Sequence, residues 1–140
     1  MSKVYLAISA APDKLLGYVH DDGKVYRSKI GINDHVGGVD LASGKVTEAR
    51  LGLDKHVGHV DLESGKVYLT KFGPDEYVGR VDADGSMHRH VPMGVDQYIG
   101  KVDQFVSYAH STGALLLLVL PALEEEGQSD EPDLTQERSE

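Results

Sequence analysis

A chain of 140 residues with 40% hydrophobic content has room for one domain around a single core. Its formal net charge of −9 is uneven: residues 124–140 hold eight acids against one base, Arg138, and so carry −7, leaving −2 for the rest. A near-neutral body with an acidic tail has no basic face to neutralise phosphates, which excludes nucleic acid as an expected partner. The absence of cysteine excludes disulfides, thiolate metal sites and cysteine nucleophiles.

The first strand signal is Lys3-Val4-Tyr5-Leu6, which recurs as Lys66-Val67-Tyr68-Leu69 inside the chain. The opening residues are therefore read as a strand and not as an export signal, despite their single lysine and short apolar stretch. A unit of 20 or 21 residues then repeats, opening on Gly17, Gly37, Gly58, Gly79 and Gly100, each followed two positions later by Val19, Val39, Val60, Val81 and Val102. A second glycine (Gly23, Gly44, Gly65, Gly85) leads into Lys24-Val25-Tyr26, Lys45-Val46-Thr47, Lys66-Val67-Tyr68 and Ser86-Met87-His88. A third (Gly31, Gly52, Gly73, Gly94) reverses the chain into the next unit.

Short runs rich in Val, Tyr and Thr, bounded by Asp- and Gly-containing turns, predict β-hairpins. Asp22-Gly23 and Asp84-Gly85 are tight-turn dipeptides, and Asp40 and Asp61 are placed to accept backbone hydrogen bonds as Asx-turns. A helical reading fails, because glycine this frequent would cost roughly 1 kcal/mol per residue in helix interiors. The extra residue between Gly85 and Gly94 predicts an altered turn in the fourth unit. The predicted core is Val4, Val19, Val25, Val39, Val46, Val60, Val67, Val81, Met87 and Val102.

Both ends of the array are half-units. Lys3 to Leu6 is a second strand without a first, and Gly100-Lys101-Val102-Asp103 is a first strand without a second. Either the two orphans pair, closing a ring of five hairpins and removing exposed edges, or the fifth first strand pairs with Ala114 to Leu120. The apolar run Leu115–Leu120 supplies buried area as a closing strand or as a short helix plugging the array; if it does neither, it is an interface for homo-oligomers. It is well short of the roughly 20 residues a membrane-spanning helix needs, so a soluble, cytoplasmic protein without a membrane partner is expected. The fold class is all-β: tandem β-hairpins in a closed flower- or barrel-like array over residues 1–123, ending in an apolar strand or short helix. Residues 124–140, with Pro132 and almost no apolar side chains, are expected to form a disordered acidic tail.

Three groups of residues are candidates for chemistry. Leu15, His35, His56, Tyr77 and Tyr98 share one repeat position, and in a closed array they would gather about the axis; His35, His56, Tyr77 and Tyr98 are the ligand-binding candidates. The competing reading has these rings packing over the core with their polar tips wet. His88 and His90, two apart on a strand, share a face and are the metal-binding candidates, weighed against two solvent-facing histidines. Asp40, Asp61, Asp82 and Asp103 converge on acid–base or calcium chemistry only if they leave their turns, which already explain them. No calcium loop, nucleophile elbow, phosphate loop or dinucleotide fingerprint is present, so no catalytic residue and no cofactor is assigned.

The unit Gly-x-Val-Asp-x-x-x-Gly-Lys-Val-Tyr, with Ser111-Thr112-Gly113-Ala114 leading into the leucine run, resembles the bacterial four-fold beta-flower domains over residues 3 to about 120. The resemblance implies a ring of hairpins and no established activity. The expected function is a non-catalytic binding or scaffolding module for a small molecule or protein. The competing class is a small metal-assisted hydrolase using clustered histidines.

Overall fold

In a computed structural model, residues 1–125 are described. Ten strands follow one another: β1 (Ser2–Leu6), β2 (Lys14–Val19), β3 (Lys24–Ser28), β4 (Asn33–Val39), β5 (Lys45–Glu48), β6 (Lys55–Val60), β7 (Lys66–Leu69), β8 (Glu76–Val81), β9 (Ser86–Arg89) and β10 (Gln97–Val102). They form one closed antiparallel barrel in which sequence neighbours pair and β10 returns to β1. The orphan half-units thus close the ring, and five hairpins, not four, repeat around the axis.

The ten predicted core residues stand as five cross-strand pairs: Val19 opposite Val25, Val39 opposite Val46, Val60 opposite Val67, Val81 opposite Met87 and Val102 opposite Val4. All ten are buried. The hairpin turns follow their side chains: Asp40 Oδ1 accepts from the Ala42 N–H at 2.9 Å and Asp61 Oδ1 from the Glu63 N–H at 3.0 Å. That backbone bond holds the Asp61 carboxyl below its usual value of 3.8. At the closure, where no turn joins β10 to β1, Asp103 Oδ1 accepts from the Lys3 N–H at 2.8 Å and the Asp103 N–H donates to Lys3 O at 3.0 Å. In the fourth unit the left-handed residue after the hairpin is Met93 (φ 61°), where Gly31, Gly52 and Gly73 serve in the others.

The lumen is filled by a helix. Ser107 caps it, accepting from the His110 N–H, and α1 (Tyr108–Ala114) continues through a π-helical segment (Leu115–Val119) and helical turns over 120–125. The run at 114–120 is therefore a plug and not a strand. Leu115–Val119 are buried inside the chain's own barrel, so an oligomer interface through Leu115–Leu120 is not available without unplugging it. The helix also extends to Glu124 and Glu125, two residues into the segment expected as tail; the rest of that segment, 126–140, lies outside the described residues.

Plug and wall are complementary layer by layer. At the level of the valine ring the helix offers Gly113, where a Cβ would lie 2.9 Å from Val39 Cγ1 and 3.3 Å from Val25 Cγ2. One layer on, the wall offers the unit-opening glycines and the helix offers leucines. A Cβ on Gly58 would lie 2.8 Å from Leu116 Cδ1, on Gly37 2.9 Å from Leu117 Cδ1, on Gly17 3.1 Å from Leu118 Cδ1 and on Gly100 3.3 Å from Val119 Cγ1. Four successive plug residues thus address four successive hairpins. An α-helix turns about 100° per residue, more than the one-fifth turn between hairpins. The i→i+5 winding of Leu115–Val119, with the Leu120 N–H bonded to Leu115 O, turns less per residue and keeps the side chains in step. It also precedes Pro121, whose missing N–H and ring would disrupt a regular turn.

The plug carries polar groups into the core. His110, Ser111 and Thr112 are fully buried. His110 Nε2 donates to His20 O at 3.1 Å and Thr112 Oγ1 to Tyr108 O at 2.7 Å, while His110 Nδ1 and Ser111 Oγ have no protein partner among the described residues. Burial holds the His110 imidazole below its usual 6.5, outweighing the His20 carbonyl, which favours the charged ring.

Gly113→Ala should lower stability by about 1–3 kcal/mol in urea unfolding, although alanine is the better helix former, and Val39→Ala should recover part of that loss in the double variant. The depressed His110 value predicts stability that is complete above about pH 6.5 and lost as pH falls toward the folded value, because the unfolded chain takes a proton the folded chain refuses. In urea titrations from pH 7 to pH 5, His110→Gln should flatten that decline.

Candidate functional site

The strand registers decide which way the ring residues face. Val67 pairs with Gly79 and the next pair is Tyr68 with Tyr77, because Val78 is inserted as a bulge. Val67 points to the core, so Tyr68 and its partner Tyr77 point outward, while Val78 packs inward. The same shift sets His35 opposite Tyr26, His56 opposite Thr47, and Leu15 opposite Tyr5. Tyr98 stands opposite His88. The ring residues therefore do not gather about the axis. They form cross-strand pairs on the outer wall, with Tyr26 and His35 centroids 5.2 Å apart and Tyr68 and Tyr77 5.7 Å apart. His35 and His56 are exposed. His56 Nε2 lies 3.0 Å from Gly58 O.

Four candidates do come together on β8, β9 and β10. Tyr77 and His90 have ring centroids 4.8 Å apart, and His88 and Tyr98 5.7 Å apart. Between them runs a charged network: Arg80 bridges Asp82 (Nε to Oδ1, 3.3 Å) and Asp96 (Nη1 to Oδ2, 2.5 Å). Asp82 also accepts from Ser86 Oγ at 3.2 Å, and His88 Nδ1 lies 3.3 Å from Asp82 Oδ2 without the alignment of a hydrogen bond. Asp96 Oδ1 lies 3.4 Å from His90 Nδ1. A carboxylate only accepts, so this contact places a proton on His90 Nδ1 and leaves Nε2 to serve as the acceptor of the neutral ring. Tyr77 is held above the usual 10.0, first by burial and then by the negative charge of Asp96.

This cluster edges a crevice of about 560 Å³ between the plug and the barrel wall. Its apolar sides come from Val57, Leu69 and Val78 on the strands and Leu116, Leu120 and Leu123 on the plug. Tyr77 and His90 stand on its rim, and Arg89, which the register sets opposite inward-facing Gly79, adds a guanidinium that also donates to Gln97 Oε1 at 2.5 Å. Two smaller hollows, of about 250 and 150 Å³, continue around the plug, one bordered by His35 and the other by Leu15. Among the described residues no three His, Asp or Glu side chains come together in a group that could hold a metal, and His88 and His90 each face a different aspartate.

Arg80, Arg89, Asp96 and the plug leucines complete this site and were not singled out as site residues from sequence. Their signal was available in the fourth unit, which departs from its siblings: Arg80 stands where Gly38 and His59 do, and His90 where Ala49 and Thr70 do. No family model, no curated protein and no solved structure matches this chain. Among the described residues no helix is long and apolar enough to cross a membrane.

Replacing Asp96 by Asn should bring the Tyr77 phenol down toward 10, visible as an earlier tyrosinate transition at 295 nm, with the other tyrosines unmoved.

Proposed function

We propose that the chain is a non-catalytic binding module that takes a small amphiphilic molecule into the crevice beside the plug. The observation that carries this reading is the crevice itself: a hollow within the usual range of ligand sites, roughly 300–1,000 Å³, with apolar sides and a few hydrogen-bonding groups gathered on one edge. The apolar part of the ligand packs on Leu116, Leu120 and Leu123. Its polar head meets Arg89, His90 and Tyr77, and the guanidinium favours an acceptor-rich head. Rigid strands hold these donors, and the buried plug fixes the opposite wall.

A second reading, hydrolysis, takes its support from the His90–Asp96 pair, in which a carboxylate orients an imidazole as a general base requires. No serine, threonine or cysteine is among the residues lining the crevice, so this reading takes water as the nucleophile.

Titration with 8-anilinonaphthalene-1-sulfonate, an anionic apolar probe, should give saturable one-site fluorescence that weakens about tenfold in Arg89→Ala and again in Leu123→Asp. Unsaturable enhancement, or binding indifferent to both changes, would remove the crevice as a ligand site. Ester hydrolysis above the buffer rate that disappears in His90→Gln would favour the second reading.

A further inference from the structure

One inward-facing charge is met neither by the core nor by the crevice. The residue paired with the opening glycine of each unit points toward the plug: Arg27 opposite Gly17, Glu48 opposite Gly37, Leu69 opposite Gly58, Arg89 opposite Gly79 and Leu6 opposite Gly100. Leu6 and Leu69 pack with the core, Glu48 is matched by Arg50 (Nη2 to Oε1, 3.2 Å), and Arg89 donates to Gln97. Arg27 is partly buried, yet among the described residues no acceptor meets its guanidinium. Its cross-strand neighbour Asp34 turns instead to Lys29, Nζ to Oδ2 at 3.4 Å. Arg27 also lines both of the smaller hollows beside the plug. The hollow of about 150 Å³ adds Ser28 and, from the plug, Leu118 and Ala122; the one of about 250 Å³ adds Leu116, Leu117 and Pro121. A partly desolvated guanidinium gains from an acceptor, and this one has room beside it for a ligand to bring one.

We infer that Arg27 anchors a second ligand site, for a small monocarboxylate with a short apolar tail. The planar fork of the guanidinium matches the two oxygens of a carboxylate, and Ser28 offers a hydroxyl in the same hollow. The tail lies along the plug on Leu116, Leu117 and Pro121 in the larger hollow. Both hollows are smaller than the crevice, which limits the tail to a short chain. The surrounding charge selects a single negative charge. Lys14 and Glu125 line the smaller hollow with opposite signs, while Asp34 and Glu48 of the larger one are engaged by Lys29 and Arg50, so Arg27 is the cation in excess. A carboxylate is neutralised by Arg27 alone. A phosphate dianion would meet Asp34, Glu48 and Glu125 with twice the charge.

The inference is independent of the crevice, and its test uses the full chain. On titration with sodium hexanoate the backbone amide resonances of Ser28 and Leu118 should shift saturably, with an affinity that falls about tenfold in Arg27→Gln. Arg27→Lys, which keeps the charge and loses the fork, should also bind more weakly than the wild type, whereas Arg89→Ala, which alters the crevice, should bind hexanoate unchanged. Because no described residue depends on the Arg27 guanidinium, both Arg27 variants should melt with the wild type. Equal hexanoate binding by Arg27→Gln, or no saturable shift in the wild type, would overturn the site. Binding of 1-hexanol as tight as that of hexanoate would overturn the role of the guanidinium. Inorganic phosphate binding more tightly than hexanoate, and losing that affinity in Arg27→Gln, would overturn the carboxylate as occupant. Loss of hexanoate binding in Arg89→Ala but not in Arg27→Gln would place the acid in the crevice and overturn the second site.

Discussion

Where the plug meets the barrel wall, both partners cannot be large, and the chain resolves this by alternating which one is small. Valine on the wall faces glycine on the helix, and glycine on the wall faces leucine or valine on the helix. In four of the five units the opening glycine (Gly17, Gly37, Gly58 and Gly100) is thus a receptor for a side chain of the plug. Ten strands enclose more space than their own valines can fill, since even eight-stranded barrels are only just filled by side chains. The helix occupies the remainder, and hairpins that are marginal alone acquire a common core.

The same fit explains the winding of the helix. Five hairpins divide the circle into steps smaller than an α-helical residue turns, and a run of leucines wound α-helically would fall out of step with the glycines. The π-helical stretch at Leu115–Val119 is therefore part of the matching between repeat number and plug, placed where Pro121 already demands a wider turn. A barrel of four such units would need a different winding, which is a physical reason why the count of units and the sequence of the plug belong together.

Much of this was legible in the residues, for identifiable reasons. The hairpins and the ten core positions follow from glycine and valine spacing, whereas the match of Lys3–Leu6 to Lys66–Leu69 made ring closure one of two readings, the other being pairing of the last strand with Ala114–Leu120. The leucine run was ambiguous because six apolar residues suit a buried strand or a buried helix equally. The outward turn of His35, His56, Tyr77 and Tyr98 was hidden because a single bulge residue per hairpin reverses the face of everything beyond it, and bulges leave no composition signal where the inserted residue is itself Val36, Val57 or Val78. The crevice was invisible for a different reason: half of it is the plug, and its polar edge depends on Asp96 and Arg80 meeting across strands.

Plug and barrel form one cooperative unit, each incomplete without the other. Native-state hydrogen exchange distinguishes this from a barrel that merely holds a helix. The buried amides of residues 112–119 and those of Val19, Val39, Val60, Val81 and Val102 should exchange with a single opening free energy, equal to that of global unfolding. Helix amides exchanging through a cheaper opening, while the strand amides stay protected, would show a barrel that stands without its plug and would overturn the cooperative unit.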